Sequence, residues 1–444
     1  MKIKTTLLGI VITSSLFFVS ASLSFAQSNP RYIPLGSATG ALYTPNSGGY
    51  SHVGIVYSHP TANNLGCGPD WASRGFLVLC LNSRYASGFT KETWVIWETA
   101  VLDIKAAVIF MKSQQGITKV VLVGPSGGAP FMSFYQNVAE NGPSVCQGPN
   151  KLVECDPTTL MGLPPADGLI INDGVPGYGI LGVKNLNGAV LNENHPDQVD
   201  PTLDPFNPKN GYSPNGSSTY SDKFKAQYFA AQAARMNKLI DMALQKTALM
   251  DGNAYRYPDD DSFPVAAAGT SGGAGAASLI RLDLSLDCCT TRPQKLLKND
   301  GTIVMQIVHS VRVANPGDAQ TNETFGTGTN NLTVRTFLSL RAVRATNSFN
   351  DIDISSNNNS TDYHLQNITV PLLVVSSGGH YFIPAGEKHY DSAKSQDKDY
   401  IVIEGAAHTG PECVPCESFP GQYANSMTNQ MNYMRDWVNQ PGRF

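Results

Sequence analysis

Continuous runs of apolar residues recur along the first half of the chain. Four are short and rich in β-branched and aliphatic residues: VGIVYS at 53–58, FLVLCL at 76–81, KVVLVG at 119–124 and GLIIN at 168–172. Runs of this kind are typical of strands buried on both faces. Helix-type spacing lies between them, at about 92–115 and again up to about residue 140. This alternation predicts an α/β fold, a mostly parallel sheet with helices on both faces.

The alternation stops near Pro176 and resumes near Val370. The segment between is rich in Asn, Gly, Pro and Ser and contains one strong helix at about 222–249, with Ser221 as its N-cap. The apolar stripe of this helix fits either docking onto the body of the protein or a mobile lid over a cleft. Two more strand-like runs, at 372–375 and 400–403, precede a final helix near 428–438.

These breaks define the predicted domains. We expect a core at 27–176 and 368–444, with a large cap at 177–367. The cap is inserted between the strand ending near Asn172 and the strand starting near Val370.

The first 26 residues have the order of a secretory signal peptide. Lys2 and Lys4 supply a positive start, an apolar stretch follows at 7–19, and small residues precede a predicted cleavage after Ala26. The alternative, a membrane anchor, needs a longer apolar stretch. We therefore expect a secreted or periplasmic protein without a membrane span.

The amino-acid composition agrees with export, and together with the absence of known motifs it excludes several classes of function. Charged residues make up 15% of the 444 residues, below the roughly 25% of average soluble proteins. The formal net charge is −4, and loss of Lys2 and Lys4 with the leader makes it −6. No basic run appears, so no nucleic-acid partner is expected. No nucleotide loop, metal cluster or flavin motif appears either, so we expect no cofactor.

Eight cysteines lie in the mature chain, and an even number in an exported protein indicates disulfides. Short separations favour Cys67–Cys80, Cys146–Cys155 and Cys413–Cys416, which leaves Cys288 beside Cys289. The alternative is a metal site at Cys413 and Cys416 with His408, but a structural zinc site needs four ligands.

The segment Gly124-Pro125-Ser126-Gly127-Gly128 lies directly between a strand-like run and a helical stretch. A serine in such a tight turn exposes its Oγ at the carboxyl edge of the sheet, and the next N–H, that of Gly127, can face an oxyanion. Ser126 is therefore the predicted nucleophile. Ser271 stands in a second motif of this type, but inside the cap and without a strong strand before it, which favours a flexible loop.

A general base must stand beside the nucleophile, and His408 follows the run at 400–403 closely enough to return there. Seven other histidines compete with it, and most of them are expected to be packed or solvated.

With these motifs the chain resembles the α/β-hydrolase family, particularly its carboxylic-ester hydrolases. The likeness covers roughly residues 40–176 and 368–440. It rests on the strand-borne GPSGG, on His59-Pro60 after the first run, on the segment 82–84, and on EGAAH at 404–408. The family places a second oxyanion donor in the segment after His59. Because Pro60 has no N–H, the resemblance implies Thr61 as that donor, beside Gly127.

The resemblance also implies a catalytic acid a few residues after the run at 372–375, where this chain has none. His380 and Tyr381 occupy that place and are expected to line the substrate site with His59. Some family members carry the acid one strand earlier, which points to Asp173. Glu387 is the alternative acid, and Glu404 is too close in sequence to His408 to reach round its ring easily.

Ser, carboxylate and His together imply acyl transfer through an acyl-enzyme. We expect a secreted serine hydrolase acting on a small-molecule or polymeric carboxylic ester. Two alternatives stay open, a peptidase or amidase on the same scaffold and a catalytically inactive binding protein.

Overall fold

The computed structural model describes residues 29–46, 49–86, 93–269, 277–314, 328–346 and 351–444. The predicted leader at 1–26 and the second serine motif at Ser271 lie outside these ranges.

A ten-stranded sheet forms the centre of the protein. The strands of the described residues are, in chain order, β1 (Arg31–Leu35), β2 (Ala38–Tyr43), β3 (Val53–His59), β4 (Leu77–Asn82), β5 (Lys119–Pro125), β6 (Gly168–Asn172), β7 (Val190–Asn192), β8 (His195–Val199), β9 (Ser262–Val265), β10 (Gln294–Leu297), β11 (Ile303–Gln306), β12 (Asn330–Thr333), β13 (Leu372–Ser377) and β14 (Lys398–Ile403). Ten of these fourteen strands form the central sheet, and their order across it is β1-β2-β4-β3-β5-β6-β13-β14-β10-β11. All neighbours from β4 to β10 in that order are parallel, and antiparallel pairs stand at the two ends. The predicted fold class is confirmed.

Helices cover both faces of this sheet. The α-helices of the described residues are α1 (Gly68–Ala72), α2 (Trp97–Lys112), α3 (Gly128–Asn141), α4 (Pro157–Leu160), α5 (Tyr178–Asn185), α6 (Asp222–Asp251), α7 (Leu279–Leu282), α8 (Val334–Thr336), α9 (Thr361–Leu365), α10 (Ile383–Ser392) and α11 (Ser426–Val438). Along β5, Val120 and Leu122 pack with α2 and α3, whereas Val121 and Val123 pack with α11. Alternate residues therefore point to opposite helix layers, and both faces of the strand are apolar.

The chain between β6 and β13 builds apolar clusters of its own. Its long helix α6 starts after Ser221, whose Oγ accepts a hydrogen bond from the Phe224 N–H at 3.2 Å. Met236 of α6 is buried against Phe263 of β9. The amphipathic stripe seen in the sequence thus packs within the inserted segment.

The predicted cap at 177–367 is not wholly separate from the sheet. β10 pairs in parallel with β14, and β11 extends the sheet antiparallel to β10. Their sequences, QKLL and IVMQ, are short and mixed in polarity, and every residue of β11 is exposed. Residues 294–306 therefore belong to the central sheet, which corrects the predicted boundary.

Four disulfides join the eight cysteines: Cys67–Cys80, Cys146–Cys155, Cys288–Cys289 and Cys413–Cys416. The last pair lies just after the loop that carries His408. Its sulfurs are bonded to each other, so they offer no thiolates for the alternative metal site. Among the helices of the described ranges, none is both long and apolar enough to span a membrane.

Candidate active site

Ser126 lies in a sharp turn between β5 and α3. Its φ of 51° falls in the left-handed region that residues with a side chain seldom adopt. The Ser126 N–H donates to the Asn172 carbonyl at 2.9 Å and so attaches the turn to β6. A Cβ at Gly124 would collide with the carbonyl oxygen of Gly128, which explains the need for glycine before the serine. The turn presents the hydroxyl at the carboxyl edge of the sheet.

His408 connects Ser126 to Asp173. Its Nε2 lies 2.9 Å from the Ser126 Oγ, and its Nδ1 lies 2.6 Å from the Asp173 Oδ2. Asp173 comes directly after β6, which is the neighbour of β5 in the sheet. The arrangement can therefore take a proton from the serine hydroxyl and stabilise the imidazolium that forms.

The Asp173 carboxylate is fully buried and sits on a residue with a φ of 48°. Its Oδ1 accepts the Ser377 N–H at 3.1 Å. Burial alone would raise the pKa of Asp173, but the imidazoles of His380 and His408 outweigh it and hold this pKa below its ordinary range. The aspartate is therefore ionised at neutral pH.

His380 is a second imidazole against the same carboxylate. Its Nδ1 lies 2.9 Å from the Asp173 Oδ2, without the alignment of a hydrogen bond. Its ring centroid lies 4.4 Å from that of His408. Burial is the largest influence on the pKa of His380 and lowers it. A neutral ring is thus held beside His408.

The order of the strands and the place of these residues identify the fold family. The series β1-β2-β4-β3-β5-β6-β13-β14 has a serine turn after β5, an acid after β6 and a histidine after β14. The chain has the α/β-hydrolase fold.

No family model and no curated protein matches the chain. Similar solved structures include an alpha/beta hydrolase from Sphaerobacter thermophilus, at 11% identity and a TM-score of 0.35, covering 92% of this chain and 100% of the other. A soluble variant of monoglyceride lipase from Saccharomyces cerevisiae is 12% identical, with a TM-score of 0.38 and coverage of 93% and 94%. A siderophore hydrolase from Aspergillus fumigatus is 13% identical, with a TM-score of 0.40 and coverage of 92% and 95%. These likenesses concern the fold alone.

The two other acids considered for this site lie elsewhere. Glu387, the alternative acid, accepts hydrogen bonds from the Thr291 N–H at 2.6 Å and the Gln294 side chain at 2.9 Å. It therefore joins α10 to the chain around β10. Glu404 accepts the Asn299 N–H at 2.8 Å. Asp173 is the acid that contacts His408.

The predicted oxyanion donors differ in their availability. Gly127 opens the N-terminal end of α3, where backbone N–H groups favour negative charge. The Thr61 N–H, however, donates to the Nδ1 of His59 at 3.2 Å. The Ala62 N–H donates to the same nitrogen at 3.0 Å. The ring of His59 thus turns back onto its own loop and occupies the amide that the resemblance implied as the second donor.

The two hydrogen bonds from the Thr61 and Ala62 amides determine the tautomer of His59. A nitrogen that accepts two N–H groups carries no proton, so the neutral ring has its proton on Nε2. Nε2 lies 3.4 Å from the Tyr178 hydroxyl, and a Cβ at Gly127 would collide with both groups. His59 therefore presents an N–H immediately beside Gly127.

A cavity of about 440 Å³ opens beside Ser126 and His408. The predicted substrate-binding residues His59, His380 and Tyr381 line it, as do Gly127 and Thr61. The inserted segment supplies other lining residues, of which the polar and charged ones include Tyr178, Asn185, Arg281, Arg312 and Arg341.

Sequence reasoning missed Tyr178 and the three arginines. Each arginine stands among mostly apolar neighbours, as in LIRLD, SVRVA and SLRAV, and arginines are usually exposed, so their types and spacing carry no sign of a shared cavity. They meet only through contacts that are distant along the chain.

Two groups of potential metal ligands occur among the described residues: Asp173 with His380 and His408, and Cys288 with Cys289 and His309. In the second group the cysteines are joined as a disulfide and offer no thiolate. In the first, His408 already uses both ring nitrogens, so a metal ion would have to displace Ser126 or Asp173.

Proposed function

We propose that this protein is a serine hydrolase that cleaves carboxylic esters through an acyl-enzyme on Ser126. The observation that carries the proposal is the hydrogen-bonded chain from the Ser126 hydroxyl through His408 to Asp173, at the wall of a cavity. Nucleophile, base and acid stand in mutual reach, as acyl transfer requires.

In the first half of the proposed reaction, the Ser126 Oγ attacks the ester carbonyl while its proton passes to the Nε2 of His408. The carbonyl oxygen becomes an oxyanion, and the ionised Asp173 stabilises the imidazolium through Nδ1. When the tetrahedral intermediate collapses, the carbon–oxygen bond to the alcohol breaks and His408 returns the proton to that alcohol.

In the second half, water takes the place of the alcohol. His408 accepts a proton from water as its oxygen attacks the acyl carbon, and then protonates the departing Ser126 Oγ. The acid product leaves and the starting hydrogen bonds are restored. Esters are the preferred donors in this proposal because an alcohol is a better leaving group than an amine.

The second oxyanion donor in this proposal is the Nε2–H of His59, acting beside the Gly127 amide. Two backbone amides hold its ring in one orientation before substrate arrives, which is the preorganisation that an oxyanion site needs. The Tyr178 hydroxyl, 3.4 Å from Nε2, positions this group.

We expect His59→Ala to lower kcat about 10²- to 10³-fold on a p-nitrophenyl ester, as loss of one oxyanion donor does. The matched control is His52→Ala, because His52 is exposed and does not line the cavity. A normal kcat in the His59 variant would mean that a backbone amide, and not His59, is the second oxyanion donor.

Labelling with a fluorophosphonate probe tests the function itself. The wild-type protein should react, with the mass increase on the peptide that contains Ser126, and Ser126→Ala should not react. Ser73→Ala, which changes an exposed serine, should label normally. Absence of labelling in the wild type would favour a binding protein. Labelling with turnover of peptide anilides but not of esters would favour an amidase.

We also infer that the protein is exported, with its leader cleaved near Ala26. Four disulfides support this inference, because such bonds persist mainly in oxidising compartments. The mass of the mature protein checks it, since an uncleaved N-terminus would contradict the proposal.

A further inference from the structure

The cavity beside Ser126 has an uneven distribution of charge. Three guanidinium groups line it, those of Arg281, Arg312 and Arg341, and no described aspartate or glutamate is part of its wall. Asp173 is fully buried behind the imidazoles and is ionised to serve them. The described wall of the cavity thus has three cationic side chains and no carboxylate.

Arg312 is the clearest of the three. Its guanidinium donates to the carbonyl oxygens of Ile280 at 2.9 Å and Leu286 at 2.5 Å, and it lies 5.6 Å from the ring centroid of Tyr381. Among the described residues, Asp287 and Asp283 attract it electrostatically, but neither lies within ion-pair distance of it. Carbonyl oxygens orient the cation but do not neutralise it, and burial lowers the pKa of Arg312.

The neighbouring cavity provides a contrast. It has a volume of about 270 Å³ and shares Arg281 and Tyr381 with the cavity beside Ser126. Its two lysines have acidic partners: Lys184 lies 3.2 Å from Asp287, and Lys388 lies 3.3 Å from Asp362. The two lysines thus have carboxylates at ion-pair distance, whereas Arg312 has only the more distant charges of Asp287 and Asp283.

Arg341 brings positive charge close to the reacting end. It is 5% exposed, and its guanidinium lies 5.2 Å from the ring centroid of Tyr178, whose hydroxyl contacts His59. The cationic wall therefore extends from Arg312 to the proposed oxyanion site.

We propose that the cavity binds an ester that carries a carboxylate, with Arg312 as the main cation that recognises it. A guanidinium matches a carboxylate in charge and in planar geometry, and it is less strongly hydrated than an ammonium. The volume of about 440 Å³ fits a small ester rather than a long polymer chain. This inference rests on the proposed function, since it names the substrate class of the same site.

Matched substrate pairs test it. On the acyl side, the p-nitrophenyl monoester of glutaric acid is compared with p-nitrophenyl pentanoate. On the alcohol side, 4-acetoxybenzoate is compared with its methyl ester. For at least one pair we expect kcat/KM to be more than about tenfold higher for the anionic member, mainly through a lower KM.

In Arg312→Gln the ratio of kcat/KM between the anionic and the neutral member should fall toward one. Arg256→Gln is the matched control, because Arg256 is exposed and does not line the cavity, and it removes the same charge. An equal kcat/KM for both members of both pairs, or the same loss of preference in Arg256→Gln, would overturn the inference.

Competition experiments separate carboxylate from other anions. Glutarate should inhibit hydrolysis of the neutral ester competitively and less strongly in Arg312→Gln. Inhibition by inorganic phosphate but not by glutarate would assign the cavity to a phosphate group instead.

Failure of this inference and failure of the proposed function give different results. Hydrolysis of neutral esters without an anion preference contradicts only the inference. If no ester is hydrolysed, calorimetric titration of the protein with glutarate still tests it, because binding should weaken at least about tenfold in Arg312→Gln. Absence of glutarate binding in the wild type would then overturn it.

Discussion

Two buried aspartates of this protein each contact a histidine through its Nδ1 atom. The oxygen of Asp173 lies 2.6 Å from His408, and that of Asp362 lies 2.5 Å from His389. Burial would raise the pKa of either aspartate, yet electrostatic interactions and hydrogen bonds with the adjacent histidines outweigh burial, and both pKa values stay below the ordinary range.

The two pairs differ at the other ring nitrogen. The His408 Nε2 reaches the Ser126 hydroxyl, and its side chain is 39% exposed. The His389 Nε2 lies 3.4 Å from the Gly174 carbonyl oxygen, and its side chain is fully buried. An aspartate–histidine pair is thus chemically useful only where the far nitrogen meets a hydroxyl at an open cavity. The second pair instead joins α9 and α10 to the residue after Asp173.

The largest difference between the pairs should appear in catalytic rate. We expect Asp173→Asn to lower kcat about 10⁴-fold, because the amide no longer holds the His408 tautomer that accepts the serine proton. Asp362→Asn should keep kcat within about threefold of the wild type. Steady-state hydrolysis of a p-nitrophenyl ester measures both. Equal losses would mean that the distinction at the far nitrogen has no catalytic meaning.

Asp362→Asn should lower the free energy of unfolding of the protein. Removing one partner of a buried pair costs about 3–5 kcal/mol, and we expect about 3 kcal/mol here because asparagine keeps the shape of the side chain. Denaturant unfolding measures the change in the free energy of unfolding. An unchanged midpoint would show that α9 and α10 are held by their apolar contacts alone.

Acidification should weaken the folded state through both aspartates. Each has a folded pKa below its unfolded value of about 3.9, so its contribution is present above that pH and is lost as pH falls through the folded pKa. We expect the free energy of unfolding to decrease from about pH 5 to pH 3, and less steeply in Asp362→Asn. Equal slopes in the two proteins would contradict a role for Asp362.

The smallest effect concerns Lys388, whose Nζ lies 3.3 Å from the second oxygen of Asp362. Its side chain is 62% exposed, so water screens the interaction. Lys388→Met should change the free energy of unfolding by less than about 1 kcal/mol, as measured by thermal or denaturant unfolding. A loss as large as that in Asp362→Asn would make the lysine, rather than His389, the main partner of this aspartate.

The sequence was sufficient to predict the parallel sheet and the residues that lie at its carboxyl edge. Buried strands carry continuous apolar runs, and Ser126, Asp173 and His408 each follow such a run within a few residues. Proximity along the chain and the shared carboxyl edge therefore suffice to place them together.

Other features depend on contacts that no short pattern encodes. The hairpin of β10 and β11 is too short and too mixed in polarity to indicate a sheet strand. His389 looks like any other histidine until α9 brings Asp362 against it. The Thr61 amide was assigned through the resemblance, and the side-chain rotation of His59 that occupies it leaves no trace in the sequence.

The hairpin of β10 and β11 has a mechanical consequence. Arg281 precedes it in the chain and Arg312 follows it, while β10 is bonded to β14, the strand that leads to His408. The hairpin thus attaches this stretch of the inserted segment to the strand that precedes His408, the proposed general base. Arg312 is attached to the same edge of the sheet, because the Val311 N–H donates to the Gly378 carbonyl oxygen just after β13 at 2.9 Å. The sheet therefore fixes how far this guanidinium stands from Ser126.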